Sequence, residues 1–159
     1  MEYNATASFP FLNANASDLL PLRCWPRQNY IELARLLLDK YPQANIVFSG
    51  AADEADPTEQ IVSQVKSNRC ASLAGETSFR QLMTLYTIAN VLVTNDSGPA
   101  HFASLTSIYT IVLFGPETPL LFAPKSPRTY AIDAGLACSP CISVLNGRRT
   151  KCRNNICMK

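Results

Sequence analysis

Apolar positions along this chain follow two periods that take turns. From Asn29 to Tyr41, the residues Tyr30, Leu33, Ala34, Leu37 and Tyr41 recur at three and four, which is one face of a helix, and Pro42 ends it. The run Ala44-Asn45-Ile46-Val47-Phe48, closed by Ser49-Gly50, predicts a buried strand. Asp56-Pro57-Thr58-Glu59 combines a capping residue, a first-turn proline and a glutamate three places on, so a helix is expected to start at Asp56 and turn Ile61, Val62 and Val65 inward. Ser78-Phe79-Arg80-Gln81 repeats the capping pattern ahead of the stripe Phe79, Leu82, Met83 and Tyr86. Strands are expected at Val91–Thr94, Tyr109–Phe114 and Thr129–Asp133, with a helix over Pro99–Leu105 and a shorter strand at Phe9–Asn13.

Strands that read as continuous apolar runs and alternate with helices belong to an open parallel sheet covered on both faces. The expected class is therefore α/β, a three-layer Rossmann-like domain. The pattern dissolves after residue 135, which divides the chain into a leader over 1–8, a Rossmann-like domain over 9–135 and a Cys-rich extension over 136–159.

Composition narrows the picture further. Hydrophobic residues make up 47% and charged residues 16% of the 159, a globular balance rather than a disordered one. A formal net charge of +2 gives no basis for nucleic acid as a partner, and the basic stretch Arg148–Arg153 reads as a solvated loop. No run approaches the roughly 20 apolar residues of a bilayer span, and Met1–Ser8 lacks the layout of a signal peptide. The sequons at Asn4, Asn15 and Asn95 then carry little meaning, and the expected location is cytoplasmic. Of six cysteines, Cys138, Cys141, Cys152 and Cys157 crowd the last 22 residues, as reduced thiols, a local disulfide or the ligands of a structural zinc.

The densest chemistry is Thr94-Asn95-Asp96-Ser97-Gly98-Pro99-Ala100-His101, directly after an expected strand. Ligands of parallel sheets bind beyond the carboxyl ends of the strands. Gly98 admits a ligand close to the backbone, and the N–H groups of Ser97, Gly98 and Ala100 at a helix start suit a phosphate. Asp96 repels that phosphate and is better placed to accept hydrogen bonds from sugar hydroxyls. Helix capping alone also accounts for Asp96 or Ser97, and His101 alone also fits a partly buried structural histidine. A Ser-His-Asp hydrolase does not fit: the three residues lie within one turn and no Gly-x-Ser-x-Gly elbow occurs. Gly115-Pro116-Glu117-Thr118, after the next strand, is either a turn or part of the same rim.

"LVTNDSGPAHFASL", "IVLFGPETP", "LACSPC" and "CRNNICM", with "NANASDLLPLRCWP" upstream, resemble the C-terminal half of family 9 glycosyltransferases, the ADP-heptose:lipopolysaccharide heptosyltransferase family. The resemblance implies the C-terminal half of a GT-B fold, with a nucleotide-sugar donor, ADP-heptose or similar, in this half. It implies that Ser97 and Gly98 hold the diphosphate, Asp96 the sugar, and Arg23 a phosphate, with His101 flanking. Asp53 or, preferably, Glu54 would meet the ribose. The glycolipid acceptor and the catalytic carboxylate would belong to an N-terminal domain absent from this chain, at the inner face of the cytoplasmic membrane, so the catalytic residue is unknown and the chain alone is expected to transfer no sugar. No cofactor is implied and no metal is favoured. A nucleotide-sugar epimerase of GT-B type, or a non-catalytic nucleotide-binding module, remains the alternative.

Overall fold

A computed structural model describes residues 9–16, 20–143, 145–147 and 149–159; the expected leader lies outside them. Six strands form one parallel sheet: β1 (Pro10–Asn13), β2 (Ile46–Phe48), β3 (Cys70–Ser72), β4 (Val91–Asn95), β5 (Tyr109–Leu113) and β6 (Thr129–Ile132). Their order is β3-β2-β1-β4-β5-β6. The chain therefore winds outward from β1 in one direction, returns, and winds outward from β4 in the other. This is the doubly wound Rossmann-like arrangement that the alternating pattern predicts.

The helices are α1 (Arg27–Lys40), α2 (Ala55–Val65), α3 (Phe79–Ile88), α4 (Gly98–Ala103) and α5 (Pro119–Phe122). Helices α1 and α2 cover one face, where Tyr30, Ile31, Ala34, Leu38, Ile61 and Val65 pack on Leu12, Ile46, Phe48 and Val93. On the other face Tyr86 of α3 and Ala103 of α4 pack on Phe11, Val47 and Leu92. Neighbouring strand residues, Phe11 and Leu12 or Leu92 and Val93, thus serve opposite layers, as the two-residue period of a strand demands.

Several boundaries and faces differ from the expected ones. The buried edge of α1 is Tyr30, Ile31, Ala34 and Leu38, so the stripe is rotated toward Ile31 and leaves Tyr41 exposed beyond the helix end. Helix α2 begins two residues before Pro57, at Ala55, because the 3-10 turn Ala52–Glu54 runs straight into it. Asp56 is therefore not the cap, and Pro57 occupies the third helical position, where its missing N–H would have had no intrahelical acceptor. The Ser78–Gln81 capping box forms: Gln81 N–H donates to Ser78 Oγ at 3.4 Å and Ser78 N–H to Gln81 Oε1 at 2.9 Å. Phe79 leaves the inward stripe, 57% exposed, and packs edge-on against Phe102 of α4 with ring centroids 4.9 Å apart.

The last residues wrap back onto the sheet's ligand end. Cys141 and Ile142 N–H groups donate to Pro116 O at 2.9 and 3.0 Å, and the Ser139 hydroxyl donates to Gly115 O. Asn155 Nδ2 donates to Leu22 O at 3.0 Å, and Met158 is buried against Gly115, where an added Cβ would collide with its sulfur. One segment thereby braces two loops, the one after β5 and the one before α1.

Candidate functional site

The carboxyl ends of β1 and β4 are neighbours in the sheet, yet their chains leave toward opposite faces, and a crevice opens between them. A cavity of about 560 Å³ lies there, lined by Asn13, Asn15, Arg23, Ser49, Gly50, Glu54, Asp96, Ser97, Gly98, His101 and Glu117 among others. Every donor-site residue expected from sequence, Arg23, Glu54, Asp96, Ser97, Gly98 and His101, borders this one space. Asp53 does not: it is exposed and lines a separate hollow beside Pro57.

Three charged side chains form the floor. Arg23, in the 3-10 turn Pro21–Arg23, places Nη1 3.6 Å from Asp96 Oδ2 and 3.4 Å from Glu117 Oε2. Asp96 is 4% and Glu117 2% exposed, so one guanidinium serves two anions away from water. Burial pushes the Asp96 carboxyl up to about 6; the Arg23 charge opposes this and the Glu117 charge adds to it. Among the described residues, Arg23 Nε and Asp96 Oδ2 are buried and have no hydrogen-bond partner. Asp96 Oδ2 still has the ion pair with Arg23, but a guanidinium N–H left without an acceptor in a concave pocket marks a place suited to a ligand's acceptor.

Local backbone sets these positions. Asn95, fully buried at the end of β4, accepts hydrogen bonds on Oδ1 from Trp25 N–H at 2.9 Å and Tyr30 Oη–H at 3.1 Å, and donates Nδ2 to Asn15 O at 3.1 Å. It ties the loop after β1, the entry to α1 and the start of Asp96-Ser97-Gly98 together. Burial of Asn15 and Asn95 leaves neither sequon open to modification. Ser97 is the N-cap of α4, but its hydroxyl caps nothing; it turns back to Asn95 O at 3.3 Å. The Ala100 N–H, expected free for a phosphate, donates to Ser97 O at 3.1 Å, and α4 has only six residues. The helix start is thus a weaker anion cradle than its sequence promised, and Arg23 is the cation that a phosphate would meet. His101 is exposed on the rim, which removes its reading as a buried structural histidine.

Glu54 Oε2 accepts the Ala51 N–H at 2.7 Å, so its carboxylate is held at the pocket's edge. Gly50 is what lets it approach: a Cβ there would stand 2.9 Å from Asn15 Nδ2 and 3.1 Å from Glu54 Oε2. The sequence reading did not single out Asn13, Asn15 or Gly50, and it left Glu117 open as part of a turn or of the same rim. The paired asparagines directly after an apolar run were the available signal for the first two, since polar residues at a strand's carboxyl end lie where ligands bind. The four tail cysteines, like Cys24 and Cys70, are free thiols, and among the described residues no group of three or more His, Cys, Asp or Glu is placed to hold a metal ion.

A doubly wound sheet with a charged crevice at its switch point defines a Rossmann-like α/β domain, in which ligands bind at that crevice. The model of glycosyltransferase family 9 (heptosyltransferase) matches residues 8–150, and the chain belongs to that family. It is therefore grouped with glycosyltransferases and not with the epimerases that its sequence left open. Lipopolysaccharide heptosyltransferase 2 of Escherichia coli K12 is 32% identical over 115 residues, 70% of this chain and 32% of that protein. The chain thus spans about a third of the length of that relative. Among solved structures, E. coli ADP-heptose LPS heptosyltransferase II superposes with a TM-score of 0.73 at 29% identity, covering 79% of this chain and 38% of the other. E. coli heptosyltransferase WaaC with ADP shares the fold, with a TM-score of 0.67 at 21% identity over 82% of this chain and 39% of that one. Among the described residues no helix is long and apolar enough to cross a membrane.

Proposed function

We propose that this chain binds the nucleotide-sugar donor of a heptosyl transfer to the lipopolysaccharide core, with an adenosine diphosphate sugar as the donor. The carrying observation is the cation at the switch point: Arg23, pinned between buried Asp96 and Glu117 on the floor of the crevice. In this reading Arg23 and the backbone at Ser97 and Gly98 take the diphosphate, Glu54 the ribose and Asp96 the hydroxyls of the sugar. Support for adenine as the base comes from the E. coli ADP-heptose LPS heptosyltransferase II that this chain resembles and from a neighbour of the same fold solved with ADP.

Transfer needs an acceptor oxygen held about 3 Å from the sugar carbon and a base to take its proton, an arrangement worth several kcal/mol. Among the described residues the carboxylates of the crevice are all engaged: Asp96 and Glu117 face Arg23, and Glu54 accepts the Ala51 N–H. The 159 residues are accordingly expected to bind donor and transfer nothing, with acceptor and base supplied by another domain. Calorimetry with ADP and with ADP-heptose tests the binding claim. Asp96→Ala should weaken ADP-heptose about tenfold while leaving ADP at or above its original affinity. Equal weakening of both ligands would make Asp96 a structural residue only. A transfer assay with truncated lipopolysaccharide tests the rest, and turnover by this chain alone would show that it holds its own base.

A further inference from the structure

We propose that Glu117 is a positioning residue that makes donor binding take up a proton, by holding Arg23 against Asp96 and leaving the crevice one negative charge in excess. The inference rests on the donor-site reading above.

The crevice floor carries one cation and two carboxylates: Arg23 Nη1 lies 3.4 Å from Glu117 and 3.6 Å from Asp96. With both carboxylates ionised, the sum is one negative charge, in a place that must then accept the two further charges of a sugar-nucleotide diphosphate. Charges buried together interact far more strongly than in water, so an anion entering that floor is opposed unless a carboxylate is neutralised. Displacing Arg23 toward the diphosphate makes matters worse, because Asp96 and Glu117 then face each other without their shared cation. One proton on the pair removes both difficulties and supplies an O–H that can donate to the ligand. Burial and Glu117 already hold Asp96 at about 6, close enough to neutrality for a bound anion to complete the protonation.

The other titratable groups facing the crevice are Glu54, from the turn before α2, and His101, from α4. Glu54 is engaged with the Ala51 N–H and adds a further negative charge at the edge. His101 is exposed on the rim and is the competing source of a pH effect, which the test must separate. From α5, Phe122 contributes only apolar surface.

The test uses ADP-glucose, whose diester diphosphate keeps a constant charge across neutral pH. Isothermal calorimetry in buffers of different ionisation enthalpy counts the protons taken up on binding. At about pH 7.5 the native chain should take up close to one proton, and its affinity should fall up to tenfold per pH unit above about 7. Glu117→Gln keeps the side chain's shape but leaves one cation with one anion. It should abolish the uptake and bind about tenfold tighter than the native chain near pH 8.5. His101→Asn should keep the uptake. Uptake near zero in the native chain, or uptake unchanged by Glu117→Gln, would overturn the proposal, as would uptake that vanishes in His101→Asn. Absence of ADP-glucose and ADP binding at every pH would instead overturn the donor-site reading, and this inference with it.

Discussion

Burying Asp96 and Glu117 against a single guanidinium leaves two anions to one cation, and the imbalance acts on folding as well as on binding. The Asp96 carboxyl is held at about 6 in the fold against an ordinary value of 3.8. A raised carboxyl favours folding only where it is protonated, so its contribution is complete below about pH 4 and is lost as pH rises through about 6. Above that the ionised, buried group costs on the order of 2–3 kcal/mol, a trade of stability for function that binding sites commonly make. Asp96→Asn is therefore expected to raise the denaturation midpoint at pH 8 and to leave it nearly unchanged at pH 4. Equal midpoints at both pH values in thermal melts would show that Asp96 is no burden to the fold. Asp96, Ser97 and Gly98 were legible in the sequence because they follow an apolar strand in one short run. Glu117 was legible only in part, because the Gly-Pro pair beside it reads equally as a turn or as part of the rim. Its burial is decided by Arg23, 94 residues earlier, and by a tail that folds over its loop.

Between elements, one residue does the joining. Asn95 bonds the entry and first turn of α1 through Trp25 and Tyr30, and the loop after β1 through Asn15. Replacing it by Ala orphans a half-buried amide, a buried phenol and a buried carbonyl together. Asn95→Ala is expected to lower stability by about 2–4 kcal/mol and to loosen the Arg23 turn as well. Chemical denaturation measures the first effect; a loss below 1 kcal/mol would mean that water replaces all three bonds. The same coupling explains what element patterns revealed and hid. Strands β2, β4 and β5 were readable because their residues are apolar on both faces. Strand β3, Cys70–Ser72, escaped because three small or polar residues carry no period, and only pairing with β2 makes them a strand. Periodicity places Tyr30, Leu33, Ala34 and Leu37 on the packed face of α1, as observed. It also takes in exposed Tyr41 and leaves out Ile31 and Leu38, because only the position of the sheet tells these apolar residues apart.

Over the whole molecule, segments far apart in sequence meet at the site. The topology brings the segments after β1, β4 and β5 to one crevice, and the tail closes beneath two of them through Asn155 and Met158. Fold class and crevice were legible from alternation and strand-end motifs. The tail's role was not, since its cysteines drew attention to metal chemistry while its packing rests on Ile142, Met158 and backbone bonds to Pro116. If the tail exists to brace Arg23 and Glu117, damage to it should reach the ligand as well as the core. Met158 is 3% exposed, and Met158→Ala opens a cavity expected to lower stability by about 2–4 kcal/mol. Leu38, 5% exposed near the far end of α1 in the core between α1, α2 and the sheet, provides a comparable loss outside the tail and both loops. Both variants should denature earlier by similar amounts. At a temperature where each is still folded, Met158→Ala should bind ADP about three- to tenfold more weakly, because a loosened loop must be ordered again on binding. Leu38→Ala should bind ADP as the native chain does. Equal affinities for the two variants would reduce the tail to ordinary core packing, with Arg23 and Glu117 held in place by the sheet alone.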